Sequence, residues 1–563
     1  MDERMGPRAW REGYRHPGHW EEQFAPLSMP ELFARSLADY ADRALIDFLG
    51  RTFTYAQVGA EARQFAAGLQ SLGLGKGDRI GLYLPNVPVY LPAYFGALMA
   101  GVTVVNFSPL YTCDELAAQV VDSGARLLVT LDVPQLLPSA EEVRRRTGLE
   151  WLVVARLARM LPFWQGLAVR LPGTGRLSPL PRDPAVLDWA RLLLPGDPRP
   201  VAIDPLIDLA MLQYTGGTTG RPKGAMLSHQ NLSANARQVE AVDPHAHERD
   251  VMVGVLPLFH IFANACVLNR TVFNGGLIAM LPRFQAEQVL ALIRRVRPTT
   301  LPGVPTMFQA LMASPDIGRT DFSSITTCIS GGAPLPQPVR EAFLAQTGVR
   351  IVEGYGLTEC AGVAACSPFD GSGPDGSIGQ PLPSTDLCLL DKDDPTSEAA
   401  AGEPGELAVR GPQVMQGYWN RPDAAAQVFV DRADGRWLRT GDVGVIDEDG
   451  FVRIVDRIKD MIAVGGFKVF PSQVEEVLLG HPAVREAAVL GVPDAYHGEL
   501  PRAYAVLAPD SAVSATELTI WLNGRLGKHE RVDSVVLRES LPHTMVGKLD
   551  RKALRAECLG GAV

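Results

Sequence analysis

No stretch of this 563-residue chain reaches the about 18 continuous apolar residues that a membrane-crossing helix needs. Its seven cysteines, Cys113, Cys266, Cys328, Cys360, Cys366, Cys388 and Cys558, form no Cys-x-x-Cys pair and show no histidine at zinc-ligand spacing. Free thiols in a reducing compartment therefore fit better than a disulfide framework or a structural metal. Basic charge is not in excess: the formal net charge is −10. That argues against a dedicated nucleic-acid binder, which requires a basic face. The opening residues, MDERMGPRAWREGYRHPGHW, lack the apolar centre of a secretory signal. Internal repeats and low-complexity tracts are also missing. The expectation is a cytoplasmic chain with no nucleic-acid partner.

What is present is ordinary globular composition, 46% hydrophobic and 21% charged. A single core stops growing at roughly 250–300 residues, so two or more domains are expected. From Pro30 to Gly124, and again from Leu206 to Ile351, helix-like segments alternate with buried strands such as DRIGLYLPN. That rhythm predicts an α/β fold with a mostly parallel sheet. After Gly376 the chain turns strand- and turn-rich, predicting a β subdomain over 376–456. The last hundred or so residues suffice for a small α+β domain. The division expected is 1–456 for a large domain and 457–563 for a small one.

Residues 151–200 interrupt the rhythm. WLVVARLARMLPFWQGLAVRLPGTGRLSPLPRDP is rich in Pro and Arg, poor in acids, and centred on Trp164. Such a segment could lie at a lipid interface. Pro162 breaks any helix there, which favours an insertion packed on the protein's own surface.

The stretch QYTGGTTGRPKGAMLSH concentrates four glycines, three threonines and one lysine between Tyr214 and Gly224. Glycine lets backbone approach a ligand closely, while hydroxyls, amides and the Lys223 ammonium suit an anion. An apolar run precedes it and a helix is expected to begin near Ser228, an arrangement of strand, loop and helix suited to phosphate. It is not a Walker A loop, because no hydroxyl follows Lys223 directly.

Further polar clusters follow in order: LPLFHIF with His260, ISGGAPLP, EGYGLTE, WLRTGD with Asp442, and GKLDRKAL with Lys548. Each alone reads as a turn or a solvated surface. Together, over about Met29 to Leu554, they resemble the AMP-forming adenylate-forming superfamily of acyl-CoA synthetases, firefly-luciferase-like enzymes and peptide-synthetase adenylation domains. NFSPLYTCDELAAQVVDSGA, LPLFHIFA, GYGLTECAG and DGRWLRTGDVGVIDEDGFVRIVDRIKDMI look most like bacterial long-chain fatty-acid–CoA ligases.

The resemblance implies ATP, Mg²⁺ and CoA as cofactor and co-substrates, and a fatty acid as substrate. It implies that Thr215, Gly216, Gly217, Thr218, Thr219, Gly220 and Lys223 hold the ATP phosphates. Gly331, Gly332 and Ala333 would line adenine. Tyr355 would stack on its other face, with Gly354, Gly356 and Thr358 beside it. Asp442 and Arg457 would bind the ribose. Glu359 would be a Mg²⁺ ligand, with Thr215. His260 would border the acyl carboxylate, and Lys548 would be the catalytic lysine. Lys459 would be the hinge about which the small domain turns, bringing Gly465 and Gly466 to the pantetheine arm of CoA. Leu301–Leu311 would help line the acyl pocket. An aryl or 4-coumarate-type acid, a carrier-protein thiol as acceptor, and a non-catalytic nucleotide-binding relative stay open. So do peripheral membrane contact and oligomeric state.

Overall fold

The computed structural model describes residues 13–171, 175–215, 222–246, 248–391, 394–400, 402–464, 467–494, 496–509, 511–544 and 548–559. The expected α/β class is what it has, arranged as a large N-terminal domain and a smaller C-terminal one. Two mostly parallel sheets dominate the first. One, of eight strands, runs in space from Gly417–Tyr418 through Lys223–Ser228, Leu209–Thr215, Thr103–Phe107, Arg79–Tyr83, Leu127–Leu131 and Trp151–Ala155 to Val186–Asp188. The other, of nine, includes Val352–Tyr355, Thr327–Gly331, Thr300–Gly303, Val251–Gly254 and Leu277–Met280 side by side. Central strands such as Thr103–Phe107 and Leu127–Leu131 are buried at every position, which explains their continuous apolar runs.

An antiparallel sheet built from Asp386–Leu390, Gly405–Arg410, Gly435–Ile446, Phe429–Arg432 and Val452–Arg457 fulfils the β-rich expectation. The chain then passes Lys459 and enters the C-terminal sheet at Ile462–Val464. This sheet has its own apolar core, including Ile462, Val474, Leu478, Val489, Leu518 and Val535, separate from the core of the larger domain. The helix after Phe470 stays tied to the strand before the crossing, because Ser472 Oγ donates to Val455 O at 2.6 Å.

Two expectations need correction. The helix expected near Ser228 is there, but a strand that was not expected separates it from the threonine-rich loop. Lys223–Ser228 is a strand antiparallel to Leu209–Thr215, with Thr215 opposite Lys223, and only then does Ser228 cap the helix His229–Ala241. Within this return arm Gly224, Ala225, Leu227 and Ser228 are buried and Met226 half-buried, a run too short and too uniform to show a strand's alternation in the sequence. The second concerns residues 151–200. Ala158, Met160, Leu161 and Val169 pack inward as expected, yet Phe163 and Trp164 are each 75% exposed. A turn of helix, Phe163–Ala168, begins after Pro162 and is too short to bury both of its faces.

All seven cysteines are free, five of them buried. Among the described residues no helix is long and apolar enough to cross a membrane.

Candidate active site

Strand ends and the loops after them bring several of the singled-out residues near one another. Thr215 and Lys223 face each other at the mouth of their hairpin. The hairpin's outer neighbour is Gly417–Tyr418, which puts the Tyr418 ring 5.2 Å from the Lys223 ammonium. The same tyrosine donates its hydroxyl to Glu359 Oε1 at 2.6 Å. Glu359 sits on the 3₁₀ turn Thr358–Cys360, whose backbone is fixed by Met415 N–H donating to Glu359 O at 2.8 Å.

Thr327–Gly331 and Val352–Tyr355 lie in parallel with Gly331 beside Gly354. Gly332 follows at φ +82°, a left-handed value, and a Cβ there would stand 3.4 Å from Lys548 Cε. Gly356 is required on steric grounds. A Cβ would lie 1.7 Å from the carbonyl oxygen of Gly362, where another backbone strand crosses it. Ala333 continues the half-buried turn beyond Gly332, and Thr358 starts the 3₁₀ turn beyond Gly356.

Asp442 and Arg457 are direct partners across two antiparallel strands. Arg457 Nε donates to Asp442 Oδ1 at 2.8 Å, and the Tyr355 hydroxyl donates to Oδ2 at 2.5 Å. Each carboxylate oxygen retains a lone pair for a further donor. Burial, reinforced by the Asp442 anion, lifts the Tyr355 hydroxyl well above its ordinary pKa, so it stays a donor.

Lys548 comes from the C-terminal domain. Its backbone is clasped by Thr544, whose N–H donates to Lys548 O at 2.7 Å while its Oγ1 accepts from Lys548 N at 3.2 Å. Burial first, and the Arg457 charge second, lower its pKa to about 8, against the opposing pull of Asp442 and Glu359. One amine thus feels Arg457, Asp442 and Glu359 and lies beside Gly332 at once.

The sequence pattern of the AMP-binding enzyme family matches residues 33–419, and that of the AMP-binding enzyme C-terminal domain matches residues 473–548, ending on this lysine. The chain belongs to the AMP-binding enzyme family. It is 40% identical over 545 residues to a long-chain-fatty-acid–CoA ligase of Escherichia coli O157:H7, covering 95% of each chain. It is 37% identical over 556 residues to the Bacillus subtilis (strain 168) enzyme of the same name, covering 98% of each. Among solved structures it resembles the anthranilate CoA ligase AuaEII in complex with anthranoyl-AMP, with TM-score 0.83 and 27% identity, over 96% of this chain and 98% of that one.

In this AMP-binding enzyme His260 lies six residues beyond the end of the strand Val251–Gly254. It caps the short helix Ile261–Ala263, its Nδ1 accepting from Phe262 N at 3.3 Å. Burial and the Lys548 charge lower its pKa to about 4. At neutral pH the ring is therefore uncharged, and with Nδ1 committed as acceptor the proton sits on Nε2. Gly216, Gly217, Thr218, Thr219, Gly220, Gly465 and Gly466 lie outside the described residues. On either side of the last pair, Ile462–Val464 and Phe467–Val469 form an antiparallel hairpin with Ala463 opposite Lys468.

Two residues that sequence reasoning did not assign also support the cleft. Tyr418 orients Glu359, and the run MQGYW gave no sign of it because the partner is 59 positions away. Glu353 accepts from Leu335 N at 3.2 Å and so pins the turn that carries Gly332 and Ala333. Burial raises its pKa to about 7, with the Leu335 amide and Arg340 opposing.

The lowered pKa of Lys548 has a sign that can be read out. The ammonium is present below about 8 and lost above it. The kcat/KM for ATP in adenylate formation, which reports groups of the free enzyme, is expected to fall about tenfold per pH unit past that point. Lys548→Arg should flatten this limb, because guanidinium keeps its charge; a limb unchanged in the variant would assign it to another group.

Proposed function

We propose that the protein activates a medium- to long-chain fatty acid with ATP to an acyl adenylate and then passes the acyl group to CoA. The single observation that carries this is the position of Lys548 Cε, at van der Waals distance from a Cβ on Gly332 and within the field of Asp442 and Glu359. Two anions must meet in the first step, carboxylate and α-phosphate, so the barrier is dominated by charge. A carboxylate oxygen attacks the α-phosphorus, the bond to the β-phosphate oxygen breaks, and pyrophosphate leaves with its electron pair. Lys548 neutralises the charge that builds on the α-phosphate and carboxylate oxygens. His260, neutral with a proton on Nε2, offers a donor beside the carboxylate without adding a cation. Tyr355 stacks on adenine from one side while Gly331, Gly332 and Ala333 line the other, and Gly354 and Gly356 give close access. Asp442 accepts from the ribose hydroxyls, and Arg457 holds that carboxylate. Thr215 and Lys223 grip the terminal phosphates with the loop between them.

Mg²⁺ fits the donors present. Among the described residues Glu359 has one oxygen engaged, by Tyr418, and no cluster of three His, Cys, Asp or Glu forms a protein cage. A hard cation held by Glu359 and Thr215 would complete its shell with water and phosphate oxygens. Bound there, it supplies counter-charge to the triphosphate.

In the second step the CoA thiolate attacks the acyl carbon and the bond to AMP breaks. Lys548 and the pantetheine arm compete for one approach, so the small domain, 457–563, turns about Lys459 between steps. Lys459→Pro is expected to spare adenylate formation and to reduce thioester formation at least tenfold; unchanged overall turnover would count against the rotation. The substrate reading itself is tested by supplying ATP and CoA with acids from hexanoate to stearate. AMP and pyrophosphate should appear with palmitate; release no higher than background across the series would remove the fatty-acid assignment.

A further inference from the structure

The segment that delivers His260 is held by side chains rather than by a neighbouring strand. Val251–Gly254 ends in the nine-stranded sheet, and Val255 to Phe259 then run outside any helix or strand. Leu256 and Leu258 are buried there, so their backbone groups need partners. Elements of the other, eight-stranded sheet and its connections supply them. Asn86, just after Arg79–Tyr83, donates Nδ2 to Leu256 O at 2.8 Å, and its Oδ1 accepts from Leu258 N at 2.8 Å. Tyr90, at the start of the helix Tyr90–Met99, offers its hydroxyl to Leu258 O at 3.0 Å. Gln213, on Leu209–Thr215, donates Nε2 to Phe259 O at 3.0 Å, one residue before His260.

These contacts form one network. Asn106 and Gln213 are register partners on adjacent parallel strands. Asn106 Nδ2 donates to Gln213 Oε1 at 3.0 Å, while its Oδ1, 2.7 Å from the Tyr90 hydroxyl, shares that proton with Leu258 O. Asn86, Tyr90, Asn106 and Gln213 are all buried. Polar side chains in such a place cost free energy unless paired, and once paired they fix geometry. Asn106 and Gln213 sit in the apolar runs TVVNF and LAMLQYT, where packing alone asks for no amide. Side chains two apart on a strand share a face, so Gln213 lies on the side of Thr215. One residue therefore joins the strand that ends at Thr215 to the loop that ends at His260.

We propose that Gln213 is a positioning residue for adenylate formation. It holds the His260 loop at a set distance from Thr215, and with it the acyl carboxylate from the triphosphate. The inference rests on the roles proposed above for His260 and Thr215. Palmitate-dependent ATP–pyrophosphate exchange is measured on the full chain for wild type, Gln213→Leu, His260→Ala and the double variant. Consumption of supplied palmitoyl-AMP with CoA gives the second half-reaction. Gln213→Leu is expected to lower the maximal exchange rate at least tenfold, because misaligned reacting groups lose effective molarity. The KM for ATP and the rate of palmitoyl-AMP consumption should stay within about threefold, a split that a general folding defect would not give. In the His260→Ala background the same change should cost less than about twofold, since a residue acting through the imidazole loses nothing once it is gone. Tyr90→Phe removes a single oxygen from the far end of the network; it should show the same split at about threefold or more, and it takes the place of Gln213→Leu in the cycle if that variant is insoluble. The proposal is overturned if Gln213→Leu exchanges as fast as wild type, if both half-reactions fall equally, or if the single losses multiply in the double variant. A wild type that shows no exchange with palmitate would instead remove the substrate reading, and this proposal with it.

Discussion

Lys548→Ala is expected to slow acyl-adenylate formation by about a hundred- to thousandfold, the range typical of removing one preorganised group from a site of developing charge. Thioester formation from acyl-AMP supplied together with CoA should stay within a few-fold of wild type. The asymmetry follows from chemistry. In the first half-reaction two anions are forced together, and this amine is the cation that the C-terminal domain brings to Gly332. In the second, the acyl carbon already carries a good leaving group and no triphosphate remains. Pyrophosphate exchange measures the first step and acyl-AMP consumption the second. Equal losses in both would contradict the assigned role and point to a general defect of folding or domain placement.

The largest effect on stability is expected from Arg270→Met. Arg270 is buried with three acids: Nε meets Glu240 at 2.9 Å, Nη2 meets Asp243 at 2.6 Å and Nη1 meets Asp250 at 2.8 Å. Burial disfavours the guanidinium charge, but the three carboxylates more than restore it and drive its pKa upward. Asp250 also accepts from the Thr300 hydroxyl at 2.7 Å, so the cluster ties the end of the helix His229–Ala241 to the start of the nine-stranded sheet. A thioether of similar length fills the space but leaves three buried acids without their shared cation. Removing one partner of a buried ion pair costs about 3–5 kcal/mol, and here the deleted group serves three. Denaturant unfolding should show a loss of at least that size, or the variant should accumulate insoluble. Arg270→Lys should recover only part, because one ammonium cannot span three carboxylates in the geometry of a planar fork. A Met variant with the wild-type midpoint would show that the acids take up protons at no cost.

The architecture was largely legible in the residues. Helices such as His229–Ala241 announce themselves by a capping Ser228, and strands such as Arg79–Tyr83 by short apolar runs with turn signals on both sides. The return strand Lys223–Ser228 was not, since six residues beside a glycine-rich turn carry too little periodicity to tell a hairpin arm from a loop. Candidate site residues were visible as ordered clusters, but what holds them is long-range. Tyr355 and Asp442 are 87 positions apart and Tyr418 and Glu359 are 59 apart, and no local pattern encodes either hydrogen bond. The outward face of Phe163 and Trp164 was hidden for a related reason. Composition told of a segment unlike its surroundings, but which of its apolar residues turn inward depends on the neighbouring Arg51 and Ala158.

The hydroxyl of Tyr355 and the guanidinium of Arg457 grip opposite oxygens of one aspartate. In the proposed roles, the platform under the nucleobase and the anchor for the sugar are therefore a single mechanical part. An attempt to retune the enzyme for another purine by changing the aromatic would also loosen its hold on the pentose, so the two preferences are expected to change together in any engineered variant.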